Sequence, residues 1–397
     1  MFNKFLKGAV RKNMSEIDII RNKYDIGLID ADLLDNGTRH PNLALMKISG
    51  YYKNKGKTVS LIETYEGLEP DEYEEIFMSK VFNFTVIDER VLDFTNIHIG
   101  GTGFFADGGE NLPGDIEHNF PDYHLYDLYI EHQFEKGKDR KKYKDYLDYS
   151  IGFATRGCFR KCEFCVNKKY DSVQFHSHIT EWLDKDKKGI YLWDDNIFAY
   201  SNWSIVFDEL DAAGKPFQFR QGLDIRLLTE EKAIRLSKSR YHGDIIFAFD
   251  HVEDSKIIED KLMLWRKYCS KSTKLYVLCG YDSQDAKDIE NTFERIRIII
   301  KYGCLPYIMR YEKYKESPYR SIYIQLARWC NQPRFLKKKS FREFCIANQA
   351  YHKNPNTLCS AYSSMIEFEN LHPEIAKAYY DIRFDQQDYV VSRRKGM

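Results

Sequence analysis

From Ile151 to Tyr311 the sequence passes six times from a short apolar strand into a helical or loop segment, and no other feature constrains the fold as much. The strand candidates are IGFAT (151–155), GIYLW (189–193), PFQFR (216–220), DIIFAFD (244–250), KLYVLCG (274–280) and LPYIMRY (305–311). Helical patterns separate them near 179–183, at 203–213, at 229–239 with Thr229 as N-cap, up to Tyr268, and at 285–303 between Asp285 as cap and Gly303 as stop. Strands that alternate with helices pair in parallel, because parallel neighbours need a crossover. Six such rounds over 150–316 predict a partial, open (β/α)6 TIM barrel, whose chemistry belongs at the C-terminal strand ends.

A second alternation lies upstream. YDIGLID (24–30), KTVSLIE (57–63), FNFTVID (82–88) and NIHIGGTG (96–103) read as strands, and 41–56 and the acidic 70–80 as helices. This predicts a doubly wound, Rossmann-like α/β domain over 22–103, preceded by an N-terminal extension (1–21). The irregular 104–149, with its charge run EKGKDRKKYKDY (135–146), reads as a solvated linker, and 317–397 as a helical C-terminal region.

The 60 acidic and 60 basic residues cancel, so no net field draws the chain to nucleic acid or an anionic membrane. No apolar run approaches the roughly 18 to 20 residues of a membrane span, which argues against a membrane partner. MFNKFLKGAVRKN lacks the apolar core of a signal peptide, and a cytoplasmic location is expected. RWCNQPRFLKKKSFREF (328–344) interleaves basic and aromatic residues as single-stranded nucleic acid would require, although an amphipathic helix with a lysine-rich turn explains it more simply.

Nine cysteines are present, none of them before position 158. Cys158, Cys162 and Cys165 crowd into eight residues while the other six are scattered singly, a distribution that points to metal rather than disulfides. On a loop directly after the first barrel strand, C-x3-C-x2-C can present thiolates to three corners of an iron–sulfur cube. The fourth iron then stays open to a small molecule, as catalytic metal sites require. The competing reading is a structural Cys3His zinc site with His176 or His178, which would make the chain a zinc-stabilised nucleic-acid-binding protein. Zinc loops usually present two separated ligand pairs, which disfavours it.

TRGC-x3-C-x-FC, with Phe164 just before the last cysteine, resembles the signature of the radical S-adenosylmethionine (SAM) superfamily. It is closest to the branch with an N-terminal cobalamin-binding-like domain. The resemblance covers about residues 22 to 310. It implies a [4Fe–4S] cluster on Cys158, Cys162 and Cys165, SAM on the open iron, an electron donor such as flavodoxin or ferredoxin, and reductive cleavage of SAM to a 5′-deoxyadenosyl radical that modifies a substrate. It also implies that Asp194 or Asp195 of LWDDNIF receives the SAM amino group, that Gln221, Asp224 and Arg226 meet its carboxylate and ribose, and that Gly280 of CGYDSQD approaches the adenine.

His251, at the end of the fourth strand, is a candidate proton donor or radical-quenching partner, although such a histidine more often serves hydrogen bonding alone. IHIGGTG (97–103) resembles the glycine turn of cobalamin-binding domains. No lower-ligand histidine motif accompanies it, and His40 has the wrong neighbours. Cobalamin-dependent methyl transfer is therefore the alternative activity. Methylthiotransferase relatives carry additional N-terminal cysteines, which this chain lacks.

Overall fold

The computed structural model describes residues 24–386, apart from Asp107, Lys168 and Pro355. The expected N-terminal extension, 1–21, lies outside the described residues. The chain divides after Tyr149 into two compact units.

The first unit is built on four strands, β1 (Tyr24–Asp30), β2 (Val59–Leu61), β3 (Tyr73–Ser79) and β4 (Ile97–Gly100), in the order β2-β1-β3-β4. All three pairings are parallel, with Ile26 opposite Val59 on one side and Glu75 on the other, and Ile76 opposite Ile97. β1 occupies the centre because Ile26–Asp30 is buried without a break, the pattern of a parallel strand covered on both faces. Helices α1 (Ala31–Asp35) and α2 (Leu43–Asn54) follow β1 and lead to β2. β3 then pairs with the opposite side of β1, which makes the doubly wound order.

Two local expectations give way. Within 70–80 only Pro70–Glu72 form a helical turn, of the 3-10 type, and Tyr73–Ser79 form β3, with Ile76 and Met78 in the core. Residues 82–88 form no strand: Phe84 and Val86 are exposed, and Asp32 holds the backbone N–H groups of Val81 and Phe82.

The segment 104–149 is not a solvated linker. It forms α3 (Gly114–Glu117), α4 (Asp127–Glu135) and α5 (Lys144–Asp148), and buries Ile116, Tyr123, Tyr126, Ile130, Tyr143 and Tyr146 against Leu45, Ile48, Ile26 and Leu28. Polar ties add to this. Tyr126 donates to Asp30 at 2.8 Å, Ser49 donates to Asp122 at 2.6 Å, and Lys47 pairs with Glu117 at 2.7 Å. Its charged residues concealed apolar ones spaced to pack on α2.

In the second unit six strands run in chain order: β5 (Tyr149–Gly152), and, after the short hairpin β6 (Thr155–Arg156) and β7 (Gln174–Phe175), β8 (Gly189–Leu192), β9 (Phe217–Phe219), β10 (Ile245–Ala248), β11 (Thr273–Cys279) and β12 (Leu305–Arg310). They form the sheets β5-β8-β9 and β10-β11-β12, joined by isolated parallel bridges at Phe217–Tyr241 and Leu223–Phe247. Helices α6 (Trp203–Ala213), α7 (Glu230–Lys238), α8 (Ser255–Tyr268) and α9 (Ala286–Lys301) cover one face of these strands. Phe219, Phe247, Leu275 and Val277 meet Phe207, Leu236, Trp265 and Phe293 in one core. Thr229 caps α7 and Asp285 caps α9, as the sequence indicates.

The helical region beyond, α10 (Arg320–Cys330), α11 (Pro333–Leu336), α12 (Phe341–Ala350), α13 (Ser360–Leu371) and α14 (Pro373–Tyr379), joins the same core. Asn331 closes the edge strand by accepting from the Ile308 N–H and donating to its carbonyl. The aromatics of 328–344 are spent here. Trp329, Phe341 and Phe344 are buried, and Arg342 pairs with Glu369 and Asp381, so this segment forms no stacking platform for nucleic acid. Among the described residues no helix is long and apolar enough to cross a membrane.

Candidate metal centre

The three clustered cysteines lie on a loop rooted by the antiparallel pairing of Thr155 with Phe175 and Arg156 with Gln174. Each is half-buried and in no disulfide. A turn bonds the Cys165 N–H to the Cys162 carbonyl at 3.0 Å. Cys158 Sγ accepts from the Arg160 N–H (3.4 Å) and from Asn196 Nδ2 (3.3 Å), and Cys165 Sγ accepts from the Asn167 N–H (3.4 Å). Burial pushes the Cys162 thiol up, and the neighbouring Cys165, Cys158 and Asp250 add to this against the opposing charge of Arg226. The three sulfurs thus share one electrostatic environment. Cys269, Cys279, Cys304, Cys330 and Cys345 are buried in the core instead, where burial raises the Cys279 thiol to about 12 and Cys304 to about 11.

The loop is held from β8 by three consecutive residues. Asp194 is buried: its Oδ1 accepts from the Thr155 N–H and hydroxyl, both at 2.6 Å, and its Oδ2 from the Ala154 N–H at 3.2 Å. Burial nevertheless raises its carboxyl to about 6, against the lowering effect of those bonds. Asp195 Oδ2 accepts from the Gly157 N–H at 2.7 Å, and Asn196 reaches Cys158. Asp194, Asp195 and Asn196 therefore clamp the strand end and the first cysteine in sequence order. Asp194 spends both oxygens on its own chain, which leaves Asp195, half-buried, as the acceptor of the pair with capacity for a ligand.

Asp224 is an ion-pair hub. It bonds Arg226 Nε at 2.8 Å and Arg160 of the cysteine loop, while Arg226 reaches Asp254 at 2.6 Å. Burial would raise its carboxyl, but Arg226 and Arg160 outweigh burial and hold it below the usual range. Gln221 is exposed nearby. Phe164 packs edge-on against Tyr281 (5.4 Å) and tilted against His251 (5.9 Å), and Tyr281 meets Tyr311 at 4.8 Å. His251 lies 3.5 Å from Asp282, and the Tyr281 hydroxyl donates to Glu163 at 3.2 Å. Gly280 has a left-handed backbone (φ 70°), its N–H donates to Asp288, and a Cβ there would stand 2.9 Å from Tyr314. The backbone conformation and this packing both require the absence of a side chain.

These residues follow the C-terminal ends of the second unit's strands, the face at which barrels do chemistry. Sequence reasoning missed Asn196, Arg160, Tyr281 and Tyr311. Asn196 and Tyr281 stand beside residues it singled out, but nothing in the pattern specifies their partners.

The zinc arrangement is not assembled. His178 is bonded to Glu209 at 2.7 Å and His176 to Ser177 at 2.9 Å. Among the described residues no three His, Cys, Asp or Glu side chains gather as ligands of a single ion. A cube asks less convergence, because each thiolate takes a different iron. Three half-buried thiols on one loop, two of them receiving N–H donors, fit that requirement.

In the glycine turn of the first unit the three glycines differ in their surroundings. A Cβ on Gly101 would stand 2.3 Å from the Lys80 carbonyl oxygen, and one on Gly103 2.7 Å from that of Phe82. The space at Gly101 and Gly103 is filled by the chain's own backbone, whereas a Cβ on Gly100 would meet nothing within 4 Å.

No family model and no curated protein matches the sequence. Among solved structures, similarity is found to TsrM of Kitasatospora setae, a radical SAM methyltransferase. Its structure with cobalamin and a [4Fe–4S] cluster matches at 11% identity over 72% of this chain and 75% of that one, with a TM-score of 0.47. Its structure with tryptophan substrate and a SAM analogue matches at 10% identity over 71% and 72%, with a TM-score of 0.48.

Proposed function

We propose that the chain is a radical SAM enzyme in which Cys158, Cys162 and Cys165 hold a [4Fe–4S] cluster. The observation that carries this is the clamping of a three-cysteine loop at the strand ends by Asp194, Asp195 and Asn196, with N–H donors directed at the sulfurs of Cys158 and Cys165. When bound, the cluster supplies one electron for the cleavage of SAM. The protein's share is to bind, orient and shield. Asp195 accepts N–H donors of the SAM amino group. Arg226, placed by Asp224 and Asp254, presents positive charge toward the cysteines and attracts a carboxylate. Phe164, Tyr281 and His251 form an aromatic wall beside the last cysteine.

Anaerobic reconstitution tests the reading. About four iron and four sulfide per chain are expected, as for one such cluster. Alanine at Cys158, Cys162 or Cys165 should abolish uptake, whereas Cys330→Ala and Cys359→Ala should not. The reduced holoprotein should release 5′-deoxyadenosine from SAM. Stoichiometric zinc without iron would refute the assignment.

A further inference from the structure

We propose that Asn196 raises the reduction potential of the cluster by donating a hydrogen bond to its Cys158 ligand, a role that rests on the reading of the cysteine loop given above. Asn196 is 4% exposed, and its Nδ2 lies 3.3 Å from Cys158 Sγ. Its Oδ1 is buried and accepts no hydrogen bond among the described residues.

That imbalance is informative. A buried acceptor without a donor costs stability, and leucine, nearly the same shape, would avoid the cost. The fold is therefore not what the amide serves. What it supplies that leucine cannot is an N–H at the sulfur. The other donors to these sulfurs, from Arg160 and Asn167, are backbone groups that almost any residue provides.

An N–H aimed at a thiolate stabilises negative charge on it, more strongly where water is excluded. The reduced cluster carries one more negative charge than the oxidised one, so the donor favours the reduced form. Hydrogen bonds to the sulfurs are one of the levers that set such potentials. Asn196 also continues the clamp begun by Asp194 and Asp195, so the loop geometry fixes the donor's aim.

The test compares reconstituted wild-type protein with Asn196→Leu and Asn196→Asp, poised with mediators at one fixed potential, with reduced cluster counted by EPR. The Leu variant should show a ratio of reduced to oxidised cluster about tenfold lower, which is about 59 mV for a one-electron couple. The Asp variant, which replaces a donor by a charge, should fall further. The cluster-free Leu variant should melt no lower than wild type. Equal ratios in wild-type and Leu proteins, each with four iron, would overturn the role of Asn196 while leaving the cluster standing. A Leu variant that fails to fold would overturn it too, by showing that the amide supports the fold. A wild-type chain that takes up no iron and sulfide would remove the cluster reading and this role together.

Discussion

Asp194 and Asp195 are adjacent and chemically identical, yet the structure gives them different work. Three donors converge on Asp194, so Asp194→Ala should leave the Ala154 and Thr155 N–H groups unpaired at a cost of about 1–3 kcal/mol each. Denaturant unfolding should register the loss, and cluster retention should fall with it. Asp195→Ala frees one N–H, that of Gly157, against two freed by Asp194→Ala, so it should lose less stability, keep the cluster spectrum and bind SAM more weakly. Normal SAM binding by the Asp195 variant would contradict the assignment. The sequence could place both carboxylates at a strand end, but not say which one the backbone consumes, because Thr155 and Gly157 come near only once β5 and β8 pair. The grouping of the three cysteines, by contrast, is legible from their spacing alone, since all three lie on one loop. A second residue-level consequence follows from Asp30. Burial raises its carboxyl to about 6, against the bonds from Tyr126 and Leu33 that favour the charged form. A raised acid binds its proton more tightly in the folded state, so its contribution is present below about pH 4 and is lost as pH rises through 6. Asp30→Asn can keep the Leu33 bond through Oδ1 and the Tyr126 contact with Nδ2 donating to the hydroxyl. Between pH 4 and 7 wild type should lose up to about 3 kcal/mol relative to this variant, measured by unfolding at each pH.

At the scale of elements, those with explicit end signals were readable and those defined by partners were not. α7 and α9 carry a capping Thr229 and Asp285 ahead of strongly periodic apolar residues, and both form where those signals place them. β3 reads as a helix because Glu74 and Glu75 interrupt its apolar alternation, and only its place beside β1 selects the extended form. The tyrosine-rich 104–149 likewise gains its structure from α2 rather than from its own propensity. One element-level tie beside the Asp224–Arg226 loop was invisible in the sequence. Lys232 of α7 donates to the carbonyls of Phe198 (2.8 Å) and Leu227 (3.1 Å), lashing the loop after β8 to the loop after β9. Lys232→Met keeps the apolar stem but frees both carbonyls. It should lower stability by about 1–3 kcal/mol in denaturant unfolding and loosen the Asp224–Arg226 loop, detected as faster proteolysis there. Unchanged stability and proteolysis would show that the tie is dispensable.

For the whole molecule, the alternation of strand and helix foretold parallel strand pairing in both units, because local periodicity records which faces are buried. It could not foretell what the first sheet's glycine turn would meet. A doubly wound order such as β2-β1-β3-β4 opens a crevice past the carboxyl ends of β1 and β3, where ligands commonly bind. Here Asp30 at the end of β1 is bonded by Tyr126, Ser79 at the end of β3 by Asn42, and Gly101 and Gly103 are pressed against Lys80 and Phe82. His98 on β4 is exposed and stacks on Phe77 at 4.8 Å, and His40, after β1, holds Asp145 through Nδ1 at 2.6 Å. A cobalamin added to this protein would thus find Gly101 and Gly103 already packed on backbone and His40 already engaged. Any cobalt it retains should show a base-off or water-ligated spectrum in absorption and EPR, identical in wild type and His40→Ala. A histidine-ligated spectrum that disappears in His40→Ala would require the His40–Asp145 pair to open, and would make this edge a cofactor site after all.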